Sequence, residues 1–270
     1  MAMKLTTGKR IAETSSKGNQ EKWREGGRWY KLDLFGYEGL AETVASRLLE
    51  HTNLGELGFS FVPYRMEQLE VHGRKRTGCS SPDFLQEGEA ILTLAELFRK
   101  GVGTDWQAQV TRLPNLASRV RWMADTTRQL TGLDRFGEYL TALFEADMLF
   151  GNEDRHLNNI AVLRRGGAFA YCPFFDFGAG LLSNTRDFPL DIVPKALVGQ
   201  LRAQPLGTLF ARQVHAAQGE FGPQLRWDFT ETHIAAALEE ALPYYPQRDR
   251  GLLRDRVEWC LKVQQRKLLS

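Results

Sequence analysis

The fold of this chain is decided by two short stretches, Gly151-Asn152-Glu153-Asp154-Arg155-His156-Leu157-Asn158-Asn159 and Phe175-Asp176-Phe177-Gly178. Between them, residues 160–163 and 168–171 are runs of β-forming residues, separated by the turn sequence Arg164-Arg165-Gly166-Gly167. The intervening chain should therefore fold as a hairpin. Because the two ends of a hairpin lie side by side, we expect Asn159 and Asp176 to be close in space.

The polar residues at the ends of this hairpin have the chemistry that phosphoryl transfer requires. Asp154 can orient an attacking hydroxyl, and Asn159 and Asp176 can each give one oxygen ligand to Mg²⁺. Magnesium prefers few protein ligands and retains part of its hydration. Either stretch alone occurs by chance in many chains, so the prediction depends on their order and spacing around the hairpin.

Length and composition indicate a globular chain with a real core. The chain has 270 residues, 43% of them hydrophobic, and a net charge of +2. The balance of charges gives no reason to expect direct binding of nucleic acid. No apolar run approaches the ~18 residues that span a bilayer, and the first residues lack the apolar centre of a signal peptide. We expect no membrane insertion and a cytoplasmic location, with secretion by a non-classical route left open.

The cysteines and histidines do not suggest a metal centre of the zinc type. Cys79, Cys172 and Cys260 are odd in number and far apart, which favours free thiols in a reducing compartment. The five histidines include no pair at the spacing of helical metal ligands.

Two regions of different pattern follow each other along the chain. Residues 1–85 are rich in glycine, β-formers and charge, with one predicted helix at 38–51. Further helices are predicted at 87–100, 116–130, 134–150 with Asp134 as N-cap, 230–242, and from 248 to the C-terminus. Residues 179–206 are predicted to be a long mobile segment with broken helix. We therefore predict an α+β fold with a small β-rich lobe at 1–85 and a larger, mostly helical lobe at 86–270.

The first lobe contains candidate groups for binding phosphates. The stretch Ser15, Ser16, Lys17, Gly18, Asn19 and Gln20 is small and polar. Gly18 can adopt a positive φ that lets backbone N–H groups approach an anion, although a flexible loop is the alternative. Two predicted strands at 20–24 and 28–34, joined by Gly26-Gly27, would place Lys22 opposite Lys31. An anion between these like charges would relieve their repulsion; otherwise both extend into water.

Lys31 alternates with the apolar residues of its strand and should face a cleft. A carboxylate at the start of the next helix could orient it toward the α- and β-phosphates of ATP. Glu38 is the preferred candidate, and Glu42, one helical turn later, is the alternative.

With these residues in place, the chain resembles the HipA-like branch of the protein-kinase-like superfamily, and within it the compact, CtkA-type serine/threonine kinases. The resemblance is carried by residues 15–22, Tyr37-Glu38-Gly39-Leu40-Ala41-Glu42, residues 154–159 and Asp176-Phe177-Gly178. The Asp-Arg-His order also resembles phosphoinositide kinases. The resemblance implies a bilobal protein-kinase-like fold with ATP between the lobes and residues 78–84 along the adenine.

The resemblance also implies roles for individual residues. Asp154 would act as base or orienter for the acceptor hydroxyl, Asn159 and Asp176 would bind Mg²⁺, and Lys31 would contact the phosphates. The phosphate loop of this family includes a serine that can be autophosphorylated, for which Ser15 fits best and Ser16 is the alternative. Larger HipA-type toxins carry an additional N-terminal subdomain, and we expect this chain to contain only the kinase core.

The expected function is ATP- and Mg²⁺-dependent phosphorylation of a protein serine or threonine, with the substrate unidentified. An antitoxin or other regulatory partner is possible under the same resemblance. Two other functions stay open from the sequence: a small-molecule or phosphoinositide kinase, and a pseudokinase that binds nucleotide and acts as a regulatory partner.

Overall fold

The computed structural model describes residues 3–5 and 22–269. It has a β-sheet in its N-terminal part and helices in most of its C-terminal part, so the predicted α+β fold class is confirmed. The candidate phosphate-loop residues Ser15, Ser16, Lys17, Gly18, Asn19 and Gln20 lie outside the described residues.

The N-terminal sheet, within the described ranges, has five strands in the order β1-β4-β5-β3-β2. They are β1 (Met3–Leu5), β2 (Lys22–Glu25), β3 (Arg28–Leu32), β4 (Arg65–Val71) and β5 (Arg74–Pro82). The β2–β3 turn has positive φ at Gly26 (56°) and Gly27 (73°), which suits the right-handed twist of a hairpin. As predicted, this register pairs Lys22 with Lys31.

Helix α1 (Glu38–Leu49) is buried on nearly all sides. It packs against β4 and β5 and also against α8 (Glu231–Ala241), so both of its apolar faces find partners. Leu40, Val44 and Leu48 have no exposed surface. The predicted helix at 38–51 is thus confirmed to within two residues of its end.

A second, three-stranded sheet consists of β6 (Glu89–Thr93), β7 (Ala161–Arg165) and β8 (Ala168–Tyr171). The predicted hairpin between the two polar stretches is therefore confirmed as β7–β8. The helix predicted at 87–100 is wrong in its first half, where β6 pairs with β7. Pairing of residues 89–93 with the buried strand β7 outweighed their local helical preference. Helix α2 (Leu94–Gly101) begins after Thr93, whose side chain accepts a hydrogen bond from the backbone N–H of Glu96.

The remaining helices enclose a large apolar core around α5. They are α3 (Trp106–Thr111), α4 (Leu116–Thr131), α5 (Phe136–Phe150), α6 (Pro194–Leu197), α7 (Phe210–Phe221) and α9 (Gln247–Leu269). The sequence had predicted neither α3 nor α7. The prediction of Asp134 as the N-cap of α5 is wrong: the helix begins at Phe136, and Arg135 is its N-cap. Phe136, Leu140 and Phe144 of α5 are fully buried, so α5 is a rigid support for the polar stretch that follows it.

The segment at 179–206 contains only α6 and a 3₁₀ turn at Val198–Gln200, in agreement with the predicted broken helix. Arg256 of α9, 2% exposed, donates hydrogen bonds to the carbonyl oxygens of Phe188, Pro189 and Ile192. These bonds hold the middle of the segment against the helical lobe. Cys79, Cys172 and Cys260 are buried free thiols. None of the helices in the described part of the chain is both long and apolar enough to cross a membrane.

Candidate active site

A cleft of about 340 Å³ lies between the two lobes and receives side chains from both. Lys22 and Glu38 line it from the N-terminal lobe. Asp154 and Asp176 line it from the helical lobe, together with Gly178 and the segment from Ser183 to Gln204. The two carboxylates proposed for catalysis and metal binding therefore share one cavity, although 22 positions separate them (176 − 154).

Lys31 lies between two carboxylates, one of which, Asp176, lines the cleft. Its Nζ is 2.7 Å from Glu42 Oε1 and 2.8 Å from Asp176 Oδ1. Burial by itself would lower the pKa of Lys31, but the charges of Asp176 and Glu42 outweigh it and raise that pKa well above its usual value. Burial likewise opposes ionisation of Asp176, yet Lys31 and Lys22 hold the pKa of Asp176 far below its usual value. Lys31 and Asp176 are thus a fully charged pair.

The preference for Glu38 as the partner of Lys31 is wrong, and Glu42 takes that position. Glu38 instead accepts hydrogen bonds from the backbone N–H groups of Phe35 (2.7 Å) and Gly36 (3.1 Å) at the start of α1. The reason is helical geometry. Glu42, one turn further on, faces the sheet, whereas Glu38 lies in the first turn, next to the backbone N–H groups that precede the helix. The carboxylate of Glu38 still lines the cleft, and burial raises its pKa.

Glu42 also connects Lys31 to the Asp-Phe-Gly turn. Its Oε2 accepts a hydrogen bond from the backbone N–H of Phe177 at 2.9 Å, while Oε1 binds Lys31. Burial raises the pKa of Glu42 against the opposing attraction of Lys31. Glu42 therefore joins helix α1, strand β3 and the Asp-Phe-Gly turn through the two oxygens of one carboxylate.

Asp154 and Asn159 contact each other within the polar loop after α5. The Asn159 Nδ2 donates to the backbone oxygen of Asp154 at 2.8 Å and approaches Asp154 Oδ2 at 3.4 Å. His156 Nε2 lies 3.4 Å from Asp154 Oδ1. Because Nδ2 is used inside the loop, Oδ1 is the atom that Asn159 can offer to a metal.

Arg155 is the organising side chain of this region, a role that the sequence reasoning did not assign. It has no exposed surface, and its guanidinium binds Asp147 through Nε (2.9 Å) and a terminal nitrogen (3.0 Å). The other terminal nitrogen donates to the carbonyl oxygens of Asn159 (3.0 Å) and Phe175 (2.6 Å). One residue thus joins the end of α5, the polar loop and the Asp-Phe-Gly turn.

Asp147 and Asn152 complete this arrangement and were also missed. Asn152 Nδ2 donates to Asp147 Oδ1 at 2.8 Å and to the backbone oxygen of Asp176 at 3.2 Å. The signal for Asp147 was available, since it is the one acid in the otherwise apolar end of α5, residues 146–150. A charge in a buried helix needs a partner close by, and Arg155 is eight residues away.

Asp176 has a backbone φ of +65°, in the left-handed region that non-glycine residues seldom adopt. Its backbone oxygen is held by Asn152 and its carboxylate by Lys31. The surrounding bonds therefore maintain a strained backbone at the position proposed to bind metal, which is typical of functional sites.

The residues present fit a bound Mg²⁺-nucleotide. Among the described residues that line the cleft, the acids Glu38, Glu153, Asp154, Asp176 and Asp187 outnumber the cations Lys22 and Arg202. A polyphosphate would be repelled from such a cleft unless divalent cations accompanied it. Asp176 in the cleft, and Asn159 in the same polar loop as Asp154, carry oxygen atoms of the hard type that Mg²⁺ prefers.

Comparison with known proteins supports the same architecture. No protein-family model matches this chain, and no curated protein matches it by sequence. The chain is similar in structure to the Helicobacter pylori proinflammatory kinase CtkA, with a TM-score of 0.64 and 14% identity, covering 100% of this chain and 99% of that one. It is also similar to HipA from the toxin-antitoxin system of Shewanella oneidensis MR-1, solved with HipB and operator DNA. That match has a TM-score of 0.47 and 14% identity over 97% of this chain and 66% of HipA.

The expected resemblance is therefore confirmed at the level of the fold. The chain has the two-lobed, kinase-like fold of CtkA, and its Asp-Arg-His and Asp-Phe-Gly segments meet at one cleft between the lobes.

Proposed function

We propose that this protein is a kinase that uses Mg²⁺-ATP to phosphorylate a serine or threonine hydroxyl of another protein. One observation carries the proposal: Asp154 and Asp176 line the same interlobe cleft, and Asp176 is bound there by Lys31, which Glu42 also holds. A binding module needs no carboxylate beside an acceptor site, so Asp154 favours transfer over binding alone.

The polar side chains in and around the cleft would divide between metal and phosphate binding. Asp176 and Asn159 would hold Mg²⁺, while Lys31 and Lys22 would bind phosphate oxygens from the sheet side. Bound Mg²⁺-ATP would supply the γ-phosphoryl group and neutralise the charge of the transition state. The contribution of the chain is mostly positioning and electrostatic stabilisation.

Asp154 would orient the acceptor hydroxyl and take its proton as the new oxygen–phosphorus bond forms and ADP leaves. His156, 3.4 Å from Asp154 Oδ1, would help to hold this carboxylate in position. A positioned base of this kind contributes about 10²–10⁴-fold to rate.

The test uses the purified protein and γ-labelled ATP, with and without a cell lysate. We expect wild-type protein to transfer label to protein, and Asp154→Ala and Asp176→Ala to lower the rate by at least about 10²-fold with unchanged far-UV circular dichroism. Asp125→Asn is the matched control, because Asp125 is a carboxylate on the surface of α4 that pairs with Arg128. Wild-type transfer by the Asp154→Ala protein would remove Asp154 from the mechanism. Label in lipid or sugar but not in protein would favour a small-molecule kinase.

The proposal includes phosphorylation of the phosphate loop by the protein itself. Ser15 and Ser16 lie close to Gly18 in sequence, and a phosphate on either would add about −1.5 to −2 charges beside the ATP phosphates. We expect self-modification to silence the enzyme. Intact-mass measurement after incubation with ATP, on wild type, Ser15→Ala and Ser16→Ala, checks this. A protein that stays unmodified, or that is fully active when modified, would contradict it. An antitoxin or regulatory partner stays a prediction.

A further inference from the structure

A second cavity, of about 320 Å³, adjoins the active-site cleft on the helical lobe. Its apolar wall comes from α3, α4, the polar loop and the chain before α7, and consists of Trp106, Val110, Met123, Leu157 and Leu206. Pockets that bind small ligands or side chains are mostly apolar and measure about 300–1,000 Å³. The size at the lower end of this range suits one or two side chains rather than a cofactor.

The cavity and the cleft are neighbours that share a lining residue. Gln204 lines both of them, and the polar loop contributes Asp154 to the cleft and His156 and Leu157 to the cavity. Successive Cα atoms are 3.8 Å apart, so the Cα of His156 lies within about 8 Å of that of Asp154. An extended peptide rises about 3.3 Å per residue and covers this distance in two to four residues.

The walls of the cavity are preformed. Gln213 of α7, 1% exposed, donates to the backbone oxygen of Gln204 at 2.7 Å and accepts from the backbone N–H of Leu206 at 3.3 Å. The backbone oxygen of Leu157 accepts a hydrogen bond from Ala95 of α2 at 3.1 Å. A rigid pocket costs less entropy when it is filled, which favours a site that selects its occupant.

The chemistry of the cavity points to an uncharged peptide segment. Among the described residues, its lining includes no Asp, Glu, Lys or Arg, so it holds no permanently charged group to pair with a phosphate head group or with nucleic acid. Gln107, Asn158 and Gln204 place amide groups around the apolar wall. Amides both donate and accept, as the backbone of an extended peptide requires.

We propose that this cavity, defined by Trp106, Val110, Met123, Leu157 and Leu206, binds a large apolar side chain of the acceptor protein two to four residues from the phosphorylated hydroxyl. The inference rests on the proposed kinase function and specifies its substrate class. Under this proposal the residues of the cavity determine which acceptor proteins are selected, and the residues of the cleft carry out phosphate transfer.

The test is an array of serine and threonine peptides in which one position from −5 to +5 is fixed as each amino acid in turn. With labelled ATP, we expect wild-type protein to prefer Leu, Met or Phe at one or two adjacent positions by about tenfold. Val110→Trp, which fills the cavity from α3, should abolish the preference by raising KM for the apolar peptides. Thr111→Trp, from the exposed rim, is a second filling variant that spares the core. Leu252→Trp is the control, since Leu252 is an exposed apolar residue of α9, 49% accessible, outside both cavities.

The outcomes separate this inference from the proposed function. Three results would overturn the cavity as an acceptor site and leave the kinase proposal intact. They are labelling of peptides without an apolar preference, a preference that survives both filling variants, and self-labelling without any labelled peptide. A protein that transfers no label to itself, to peptides or to a lysate would overturn the kinase proposal, and the acceptor site with it.

Discussion

Replacing Arg155 by methionine tests whether a single buried guanidinium holds the site together. Methionine keeps most of the apolar volume of the arginine stem and removes its charge and donors. In the wild type these donors bind the Asp147 carboxylate in two places and the carbonyl oxygens of Asn159 and Phe175. The substitution therefore leaves one buried carboxylate and three carbonyl oxygens without this partner, since Arg155 also donates to the backbone oxygen of Asp176 at 3.3 Å. The Asp176 oxygen keeps its hydrogen bond from Asn152.

The magnitude follows from these contacts. Breaking a buried ion pair by removing one partner costs about 3–5 kcal/mol. Loss of the donor for each buried carbonyl adds about 1 kcal/mol. We expect Arg155→Met to lower the free energy of unfolding by about 5–7 kcal/mol, a large part of the roughly 5–15 kcal/mol typical of a folded protein.

The companion variant is Asp147→Asn combined with Arg155→Met. Asparagine removes the buried negative charge and still accepts the hydrogen bond from Asn152, so the double variant should be more stable than the sum of the two single changes predicts. We expect a coupling energy of about 2–3 kcal/mol. The measurement is urea unfolding of the four proteins, followed by tryptophan fluorescence.

The control is a pair of the same geometry on the surface. Arg47 binds Glu240 through two nitrogens at 2.7 and 2.8 Å, with both side chains about one-third exposed. Arg47→Met should cost less than about 1 kcal/mol, because water solvates both charges once the pair is broken. Additive effects of Asp147→Asn and Arg155→Met, or an Arg155→Met protein as stable as Arg47→Met, would refute the reasoning.

Three further changes should have separable effects. Glu42→Gln should lower the kcat of phosphate transfer by about 10²-fold because it weakens the hold on Lys31, and steady-state kinetics should show a smaller loss for Glu38→Gln. Burial raises the pKa of the Asp33 carboxyl to about 7, although the Tyr245 hydroxyl donates a hydrogen bond to it. In the unfolded chain the same carboxyl has a pKa of about 3.9. Between these values the folded state binds more protons, so stability should fall as pH rises toward 7, by at most about 4 kcal/mol. Urea midpoints at pH 5 and pH 8 should differ less in Asp33→Asn than in wild type. Asn115→Ala removes the cap that binds the backbone N–H of Ser118 at 2.8 Å, and thermal unfolding should show a loss of about 1 kcal/mol with activity unchanged.

The parts of the site that the sequence predicted are those set by local geometry. The Gly26-Gly27 turn fixed the register of its hairpin and so placed Lys22 opposite Lys31. The hairpin after Asn159 likewise brings the chain back at Asp176. The N-terminal half of the predicted helix at 87–100 failed because its strand state depends on β7, about seventy residues away. The local secondary-structure preference of a segment contains no information about a partner strand that far away in the sequence.

The choice between Glu38 and Glu42 shows the same limit on a smaller scale. Both acids lie on one helix at neighbouring turns, and helical periodicity gives both access to the same side. Only the packing of α1 against β4 and β5 fixed the rotation of the helix and directed Glu42 to Lys31.

By itself, the sequence determined the fold class, the two hairpins and the identity of the chemical groups, because turn residues, apolar periodicity and motif order act over a few residues. The tertiary structure decided which acid binds Lys31, how Arg155 joins three segments, and that a cavity whose described lining includes no Asp, Glu, Lys or Arg lies beside the interlobe cleft. Those features depend on contacts between segments far apart in the chain, and burial and charge compensation at such contacts are properties of the packed molecule alone.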